Sequence, residues 1–169
     1  TFSEIIENDY IYVDKTDIAY NLIDNYKYAF LSRPRRFGKS LFLDTLKNIF
    51  EAKKELFKGL AIEHKWDWNV SYPVIHINFA SGKIENRKDL DESIIRTLKQ
   101  NQEHLKIECE EKNSVAGCFV ELIRKAHKKY NQNVVILVDE YDKPILDNID
   151  ESTIAKSVRD GLVNLYSVI

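Results

Sequence analysis

The chain has 169 residues, of which 44% are hydrophobic and 31% charged, and its 25 basic and 27 acidic residues give a net charge of −2. This composition is typical of one globular domain and excludes a collagen, a mucin or a disordered tail. The charge also disfavours a dedicated duplex-DNA reader, which usually carries a positive excess. Because no apolar run reaches the ~20 residues of a membrane span and no signal peptide opens the sequence, we expect a cytoplasmic protein that does not enter a membrane.

Cysteine and methionine usage adds two expectations. The two cysteines, Cys109 and Cys118, lie outside any CxxC motif, which excludes a disulfide framework and a cysteine-rich zinc site. The sequence contains no methionine, so we expect it to be part of a longer reading frame.

Predicted strands and helices alternate along the chain. Three short apolar runs predict buried strands at Tyr28–Ser32, Val74–Phe79 and Val134–Val138. Between and after them, apolar side chains recur with helical spacing, which predicts five helices. Their stripes are Ile18, Leu22, Ile23 and Tyr26; Phe42, Leu46, Ile49 and Phe50; Leu90, Ile94, Leu98 and Leu105; Val115, Phe119, Leu122, Ile123 and Ala126; and Ile154, Val158, Leu162 and Leu165. This alternation predicts an α/β fold with a mainly parallel sheet.

The segment SRPRRFGKS (32–40) follows the first predicted strand and opens the second predicted helix, which is the context of a phosphate-binding loop. Gly38 would admit a phosphate close to the backbone, Lys39 would reach the β- and γ-phosphates, and Ser40 would offer its hydroxyl to Mg²⁺. The first glycine of the G-x-x-x-x-G-K-[ST] pattern is replaced by Arg33. The alternative is a basic loop before an ordinary helix, which would leave several like charges without an anion.

A nucleotide at this loop would contact a continuous run of residues. The predicted contacts are Arg35, Arg36, Phe37, Gly38, Lys39, Ser40 and Leu41. One of the loop arginines would stabilise charge on the phosphates. Further upstream, Tyr12 would stack on the base. The alternative for this upstream segment is that Tyr12 packs the N-terminal region and Asp14 caps a helix starting near Thr16.

The third predicted strand ends in Asp139-Glu140, an arrangement typical of a Walker B motif. Asp139 would hold Mg²⁺ and Glu140 would polarise the attacking water. Since parallel strands deliver their carboxyl ends to one edge of a sheet, we expect this pair and the phosphate loop to face the same ligand. Asp142 either caps the turn before Pro144 or pairs with a loop arginine, and we favour the pairing.

The runs FLSRPRRFGKSLFLDTL, VVILVDEYDKPILDNI and YVDKT together resemble the AAA-ATPase-like family of bacterial proteins, which is related to P-loop ATPases and often fused to a C-terminal nuclease-like domain. The resemblance covers nearly the whole chain and makes the Arg33 substitution a family trait. It implies a P-loop three-layer αβα sandwich over residues 1–169 that binds ATP and Mg²⁺ and hydrolyses ATP, with Lys39 and Glu140 catalytic. It also implies a sensor strand after a helix like Ser152–Val168, so we expect this chain to be the N-terminal part of a longer protein.

Three other functions remain open at this point. The missing first glycine is compatible with a nucleotide-sensing interaction module that turns over little ATP. A P-loop kinase-like transferase is a second alternative, although adjacent Asp139 and Glu140 favour hydrolysis. Direct nucleic-acid binding by the arginines is the least expected, because a nucleotide satisfies the same charges with fewer assumptions. The sequence leaves the oligomeric state open.

Overall fold

Seven α-helices, one 3-10 helix and two strands form the part of the chain that the computed structural model describes, residues 1–34, 36–111 and 114–169. Contacts divide this part into two units, residues 1–74 and 75–169. Each unit has its own buried apolar residues, so each is described by itself.

Helices make up the first unit. They are α1 (Phe2–Glu7), α2 (Thr16–Asn25), α3 (Lys39–Phe50) and a 3-10 helix (Lys54–Phe57). The first helix starts with a capping box, in which the Thr1 side chain accepts a hydrogen bond from the backbone N–H of Glu4 and the Glu4 carboxylate accepts one from the backbone nitrogen of Thr1. This reciprocal pairing satisfies two N–H groups that the helix itself leaves unbonded.

Aromatic rings fill the core of the first unit. The fully buried rings of Phe2 and Phe57 lie 4.9 Å apart, and Phe57 lies 5.0 Å from Trp68. A second group joins Phe50 edge-on to both Trp66 and Tyr72 at 5.7 Å. These separations lie in the favourable range for aromatic pairs, so the rings connect α1 and α3 with the segment that follows them.

The second unit contains the sheet and the longest helices. In chain order its elements are β1 (Val74–Asn78), whose first residue closes the first unit, α4 (Arg87–Leu105), α5 (Val115–Tyr130), β2 (Val135–Asp139), α6 (Lys143–Leu146) and α7 (Ser152–Tyr166). The two strands are neighbours in a small parallel sheet, and the crossover between them contains α4 and α5. Ile75, Ile77 and Phe79 are buried against the helices, whereas His76 and Asn78, on the opposite face, are half-exposed.

A side chain covers the outer edge of β1. Asn101, on α4, accepts a hydrogen bond from the backbone N–H of His76 at 2.8 Å and donates one to the C=O of the same residue at 2.9 Å. In a strand, the N–H and C=O of one residue point to the same edge, and Phe79, three residues on, bonds instead to Asp139 of β2. The amide of Asn101 therefore takes the place that a further strand would occupy.

The five predicted helices are confirmed as α2, α3, α4, α5 and α7, and two of the three predicted strands are confirmed within one residue at each end. The predicted strand at Tyr28–Ser32 is wrong: no strand forms there, and all five residues are exposed. An apolar run becomes a strand only beside another strand, and within the described residues β1 and β2 pair with each other. The structure thus has an α/β fold with a small parallel sheet, and the three-layer sandwich stays a prediction.

Candidate functional site

The phosphate loop enters α3 through a strained backbone. Arg36 and Gly38 have φ angles of 68° and 75°, in the left-handed region that favours glycine. A Cβ atom added at Gly38 would meet no neighbouring atom within 4 Å, so the backbone angle, rather than lack of space, favours glycine there. The predicted contact Arg35 lies outside the described residues.

The start of α3 presents unbonded backbone donors. Gly38 is the N-cap and has no side chain to accept from them, and the N–H of Phe42 is the first to bond back, to Gly38 O at 2.9 Å. The N–H groups of Lys39, Ser40 and Leu41 therefore precede the helical ladder, at the positive end of the helix dipole. Ser40 is exposed, so its hydroxyl is accessible from solvent. Together these groups offer an anion several donors at one point.

The ammonium group of Lys39 folds back over the loop. It donates to the backbone carbonyls of Arg33 at 2.9 Å and Pro34 at 3.3 Å. Neutral carbonyl oxygens hold a cation less strongly than a phosphate does, because charge-assisted bonds to anions are stronger. Phe37 is 70% exposed, so the loop around this lysine is open. The lysine is thus held over the loop by contacts that an anion would outcompete.

Tyr12 and Asp14 lie in the first unit with structural contacts of their own. The Tyr12 ring packs edge-on against Phe2 at 5.0 Å, and its hydroxyl is 3.5 Å from the Thr45 hydroxyl on α3. Burial is the largest influence on the pKa of Tyr12 and raises it. Base stacking by Tyr12 stays a prediction.

The alternative proposed for Asp14 is confirmed in part: Lys15 is the N-cap residue of α2, but the Asp14 carboxylate accepts from both the N–H and the hydroxyl of Thr16, the first residue of that helix, at 2.7 Å. The other carboxylate oxygen accepts from Ala61 N at 2.8 Å. One carboxylate thus joins the start of α2 to the segment after the 3-10 helix, which gives the YVDKT motif a structural role.

Asp139 and Glu140, the acidic pair, lie at the end of β2 in the second unit. Asp139 is 5% exposed, and its carboxylate accepts a hydrogen bond from the N–H of Glu140 at 3.0 Å. Glu140 is half-exposed and has a φ angle of 53°, in the left-handed region that a glutamate rarely adopts. The two acids therefore differ, since one is a buried carboxylate at the strand end and the other a partly open side chain on a strained turn.

Asp142 stands at the N-cap position of α6, but its side chain does not cap the helix. Its predicted pairing with a loop arginine stays a prediction. Three neighbours of this turn that the motifs do not predict, Lys143, Asp147 and Asn148, bond to the segment after β1. The i,i+4 spacing of Lys143 and Asp147 was visible, but the partners sixty residues upstream were not.

The described His, Cys, Asp and Glu side chains show which metal and thiol chemistry this part of the chain can support. Within residues 1–34, 36–111 and 114–169, no group of three or more His, Cys, Asp and Glu side chains is arranged to hold a metal. Mg²⁺ needs no such group, because it is usually bound by one or two protein oxygens together with phosphates and water, and the Ser40 hydroxyl and the Asp139 carboxylate are oxygen ligands of that kind. Burial raises the pKa of Cys109 to about 12, so this thiol is not an activated nucleophile.

The structure divides the predicted site between its units. Gly38, Lys39 and Ser40 belong to the first unit, and Asp139 and Glu140 to the second. In the part of the chain that the structure covers, no helix has the length and apolar character needed to cross a membrane.

Comparison with known proteins identifies the family. The sequence profile of the family described as "Predicted AAA-ATPase" matches residues 1–169. A curated protein of Azotobacter chroococcum mcd 1, described as "Uncharacterized protein in vnfD 5'region", is 51% identical over 170 residues, which cover 100% of this chain and 33% of the relative. The chain thus spans about a third of the length of that relative. No solved structure matches. With a profile match over its whole length and motifs at the expected places, the chain belongs to the AAA-ATPase-like family.

Proposed function

We propose that this domain binds Mg-ATP and hydrolyses its β–γ bond. The observation that carries the proposal is the start of α3, where a glycine N-cap leaves backbone donors unbonded beside the Lys39 ammonium. Lys39 and the N–H groups of residues 39–41 bind the phosphates, and exposed Arg33 and Arg36 add positive charge. Arg35, Phe37 and Tyr12 complete the proposed nucleotide contacts.

Metal binding and activation of the attacking water are the remaining roles, and we assign them to Ser40, Asp139 and Glu140. Ser40 and Asp139 would hold Mg²⁺, which when bound withdraws charge from the phosphate oxygens. Glu140 accepts a proton from water and orients it, a role that suits a partly open carboxylate beside a buried one. In P-loop enzymes, a phosphate loop and an acidic strand end supply these two sets of roles.

We further propose that this ATPase domain, a P-loop three-layer αβα sandwich when complete, is the N-terminal part of a longer cytoplasmic protein. ATP use would then drive a conformational change in a C-terminal nuclease-like domain. Two observations support the proposal: the family resemblance and the length of the curated relative, of which this chain covers 33%.

A nucleotide-sensing module with little turnover is the second candidate. The presence of Arg33 at the position of the first glycine favours it, because the loop then departs from that of well-studied ATPases. The two candidates share the binding step and differ in hydrolysis. Calorimetry with a non-hydrolysable ATP analogue measures the first, and phosphate release measures the second.

The binding step is tested by replacing Lys39 with alanine. A ligand that binds only the native state stabilises it by RT ln(1 + [L]/Kd), which is about 2.7 kcal/mol at a hundredfold excess over Kd. We expect Mg-ATP to raise the midpoint of thermal unfolding of the wild type and Lys39→Ala to remove most of that rise. Lys47→Ala, two turns further along α3, is the matched control and should keep it. Equal shifts in wild type and Lys39→Ala would contradict the phosphate site.

A further inference from the structure

Two sets of contacts hold the turn that carries Glu140. On its upstream side, the carbonyl of Asp139 accepts a hydrogen bond from the N–H of Phe79 at 3.3 Å. On its downstream side, the N–H of Lys143 donates to the carbonyl of Glu140 at 3.1 Å, which connects the turn to the start of α6. The backbone at Glu140 is therefore bonded directly to the start of α6.

Three side chains fix α6 to the segment that follows β1. Lys143 donates to the carbonyl of Gly82 at 2.6 Å and pairs with Asp147 at 2.7 Å. Asp147 accepts the N–H of Ile84 at 3.3 Å, and Asn148 donates to the carbonyl of Ile84 at 2.5 Å. We call Lys143, Asp147 and Asn148 the α6 clamp.

The clamp is partly buried, and its hydrogen bonds favour the charged form of Asp147. Asn148 is 7% exposed, and its amide also donates to Pro144 O at 3.0 Å, within α6. Although burial alone would raise the pKa of Asp147, the hydrogen bonds from Lys143 and from the N–H of Ile84 lower it overall. The Asp147 carboxylate therefore stays charged at neutral pH and keeps accepting the bonds from Lys143 and Ile84.

Glu140 itself occupies a conformation that its side chain disfavours. Its φ of 53° places the Cβ atom close to the following carbonyl, so an unrestrained glutamate would leave this region. Such strain persists only where surrounding contacts hold it, and it concentrates at functional sites. The backbone bonds from Phe79 to Asp139 and from Lys143 to Glu140 are contacts of this kind on either side of the strained residue.

We propose that Lys143, Asp147 and Asn148 are positioning residues that keep Glu140 in its left-handed conformation and so aim its carboxylate at the reacting water. The proposal rests on the proposed role of Glu140 in hydrolysis. The clamp residues touch neither nucleotide nor water in this scheme, and they act through the backbone of the turn.

Kinetics in the intact chain test the catalytic half of the proposal. We expect Lys143→Ala to lower kcat about tenfold while the Kd for Mg-ATP changes less than about twofold. The reason is that the proposed action of Glu140 on water stabilises the transition state and not the bound nucleotide. Lys143→Arg should recover part of kcat, since its guanidinium donates to the same carbonyl and carboxylate. Lys156→Ala, on an exposed position of α7, is the control and should leave both constants unchanged.

A double-mutant cycle shows whether the clamp acts through Glu140. In a Glu140→Gln background, Lys143→Ala should lower kcat by less than about twofold, because the group that the clamp positions is already lost. A tenfold loss in both backgrounds, or a loss confined to Kd, would overturn the proposal.

Stability measurements test the conformational half without any nucleotide. Glycine at position 140 relieves the left-handed strain and alanine does not, so the Glu140→Gly and Glu140→Ala variants should unfold at different denaturant midpoints. The difference should shrink when Lys143→Ala or Asn148→Ala breaks the clamp, since the turn can then relax. Glycine's effect on the unfolded chain is the same in both backgrounds and cancels.

The outcomes distinguish failure of nucleotide binding from failure of the positioning role. Failure of the wild type to bind Mg-ATP contradicts the proposed function. A glycine-to-alanine difference that is the same with and without the clamp contradicts the positioning role, whatever the nucleotide result. If the buried Asn148→Ala variant does not fold, Lys143→Ala, at a more exposed position, carries the same comparison.

Discussion

Residues 33–40 and residues 139–148 carry the two parts of the proposed site, and their surroundings differ. The loop is largely exposed, and its lysine bonds to carbonyls of the loop itself. The acidic segment is joined to residues 79–84 by four hydrogen bonds, three of which involve the α6 clamp. A loop that must enclose a polyanion benefits from freedom to adapt, whereas an acid that orients water benefits from a fixed position. We infer that binding and turnover in this domain depend on regions of different rigidity.

The largest expected effect separates turnover from binding. Glu140→Gln keeps the shape and hydrogen bonding of the side chain but not its basicity, so kcat should fall about 10²–10⁴-fold. The Kd for Mg-ATP should stay unchanged, because the phosphate loop is intact. Phosphate release and calorimetry measure the two quantities, and Glu151→Gln, at the exposed N-cap of α7, is the control. A variant that hydrolyses at the wild-type rate would favour the nucleotide-sensing module.

The effect expected next in size is a change in the free energy of unfolding, which we compare between one substitution in each region. Asn148→Ala leaves the carbonyl of the buried residue Ile84 without this donor, which should lower the free energy of unfolding by about 1–3 kcal/mol. Phe37→Ala, in the open loop, should change it by less than about 0.5 kcal/mol, since exposed side chains contribute little. Denaturant unfolding measures both, with Asn164→Ala on the exposed face of α7 as the control. Similar losses at Asn148 and Phe37 would contradict the comparison.

The smallest expected effect is a dependence on pH. The pKa of Asp147 lies below its usual 3.8 in the folded protein, so its carboxylate stabilises the fold above that pH. This contribution should disappear as the pH falls through the lowered pKa, when the carboxylate gains a proton and weakens its bonds to Lys143 and Ile84. Asp147→Asn should therefore be less stable than the wild type near neutrality and should lose less stability on acidification. Unfolding curves between pH 6 and about 2 measure the slope, and Asp160→Asn, on the exposed surface of α7, should keep the wild-type slope.

Local patterns predicted most of the helices and two of the three strands because those elements bury one stripe or run of apolar side chains. The same argument failed for Tyr28–Ser32, whose composition suits a strand but which has no strand beside it in the described part of the chain. Strand formation depends on a partner, and a partner is a property of the whole sheet rather than of five residues.

The candidate site was predictable where chemistry follows residue type and spacing. Gly38, Lys39, Asp139 and Glu140 were recognised from short motifs, and the structure shows the glycine at the start of α3 and the acids at the end of β2. The left-handed backbone of Glu140 and the α6 clamp were not predictable, because they depend on contacts between residues about sixty positions apart. No local pattern specifies which carbonyl a distant lysine will reach.

The pairing of Asn101 with His76 has a consequence for assembly of the sheet. One amide replaces the backbone of a neighbouring chain, so β1 ends the sheet on its side even though its sequence would suit an interior strand. In the region that the structure describes, β2 has no strand on its other side. A further strand would therefore find more unbonded backbone beside β2, the strand that carries the two acids, than beside His76 of β1. An amide on α4 that bonds both backbone groups of His76 also removes part of the template that an exposed edge strand offers to another chain.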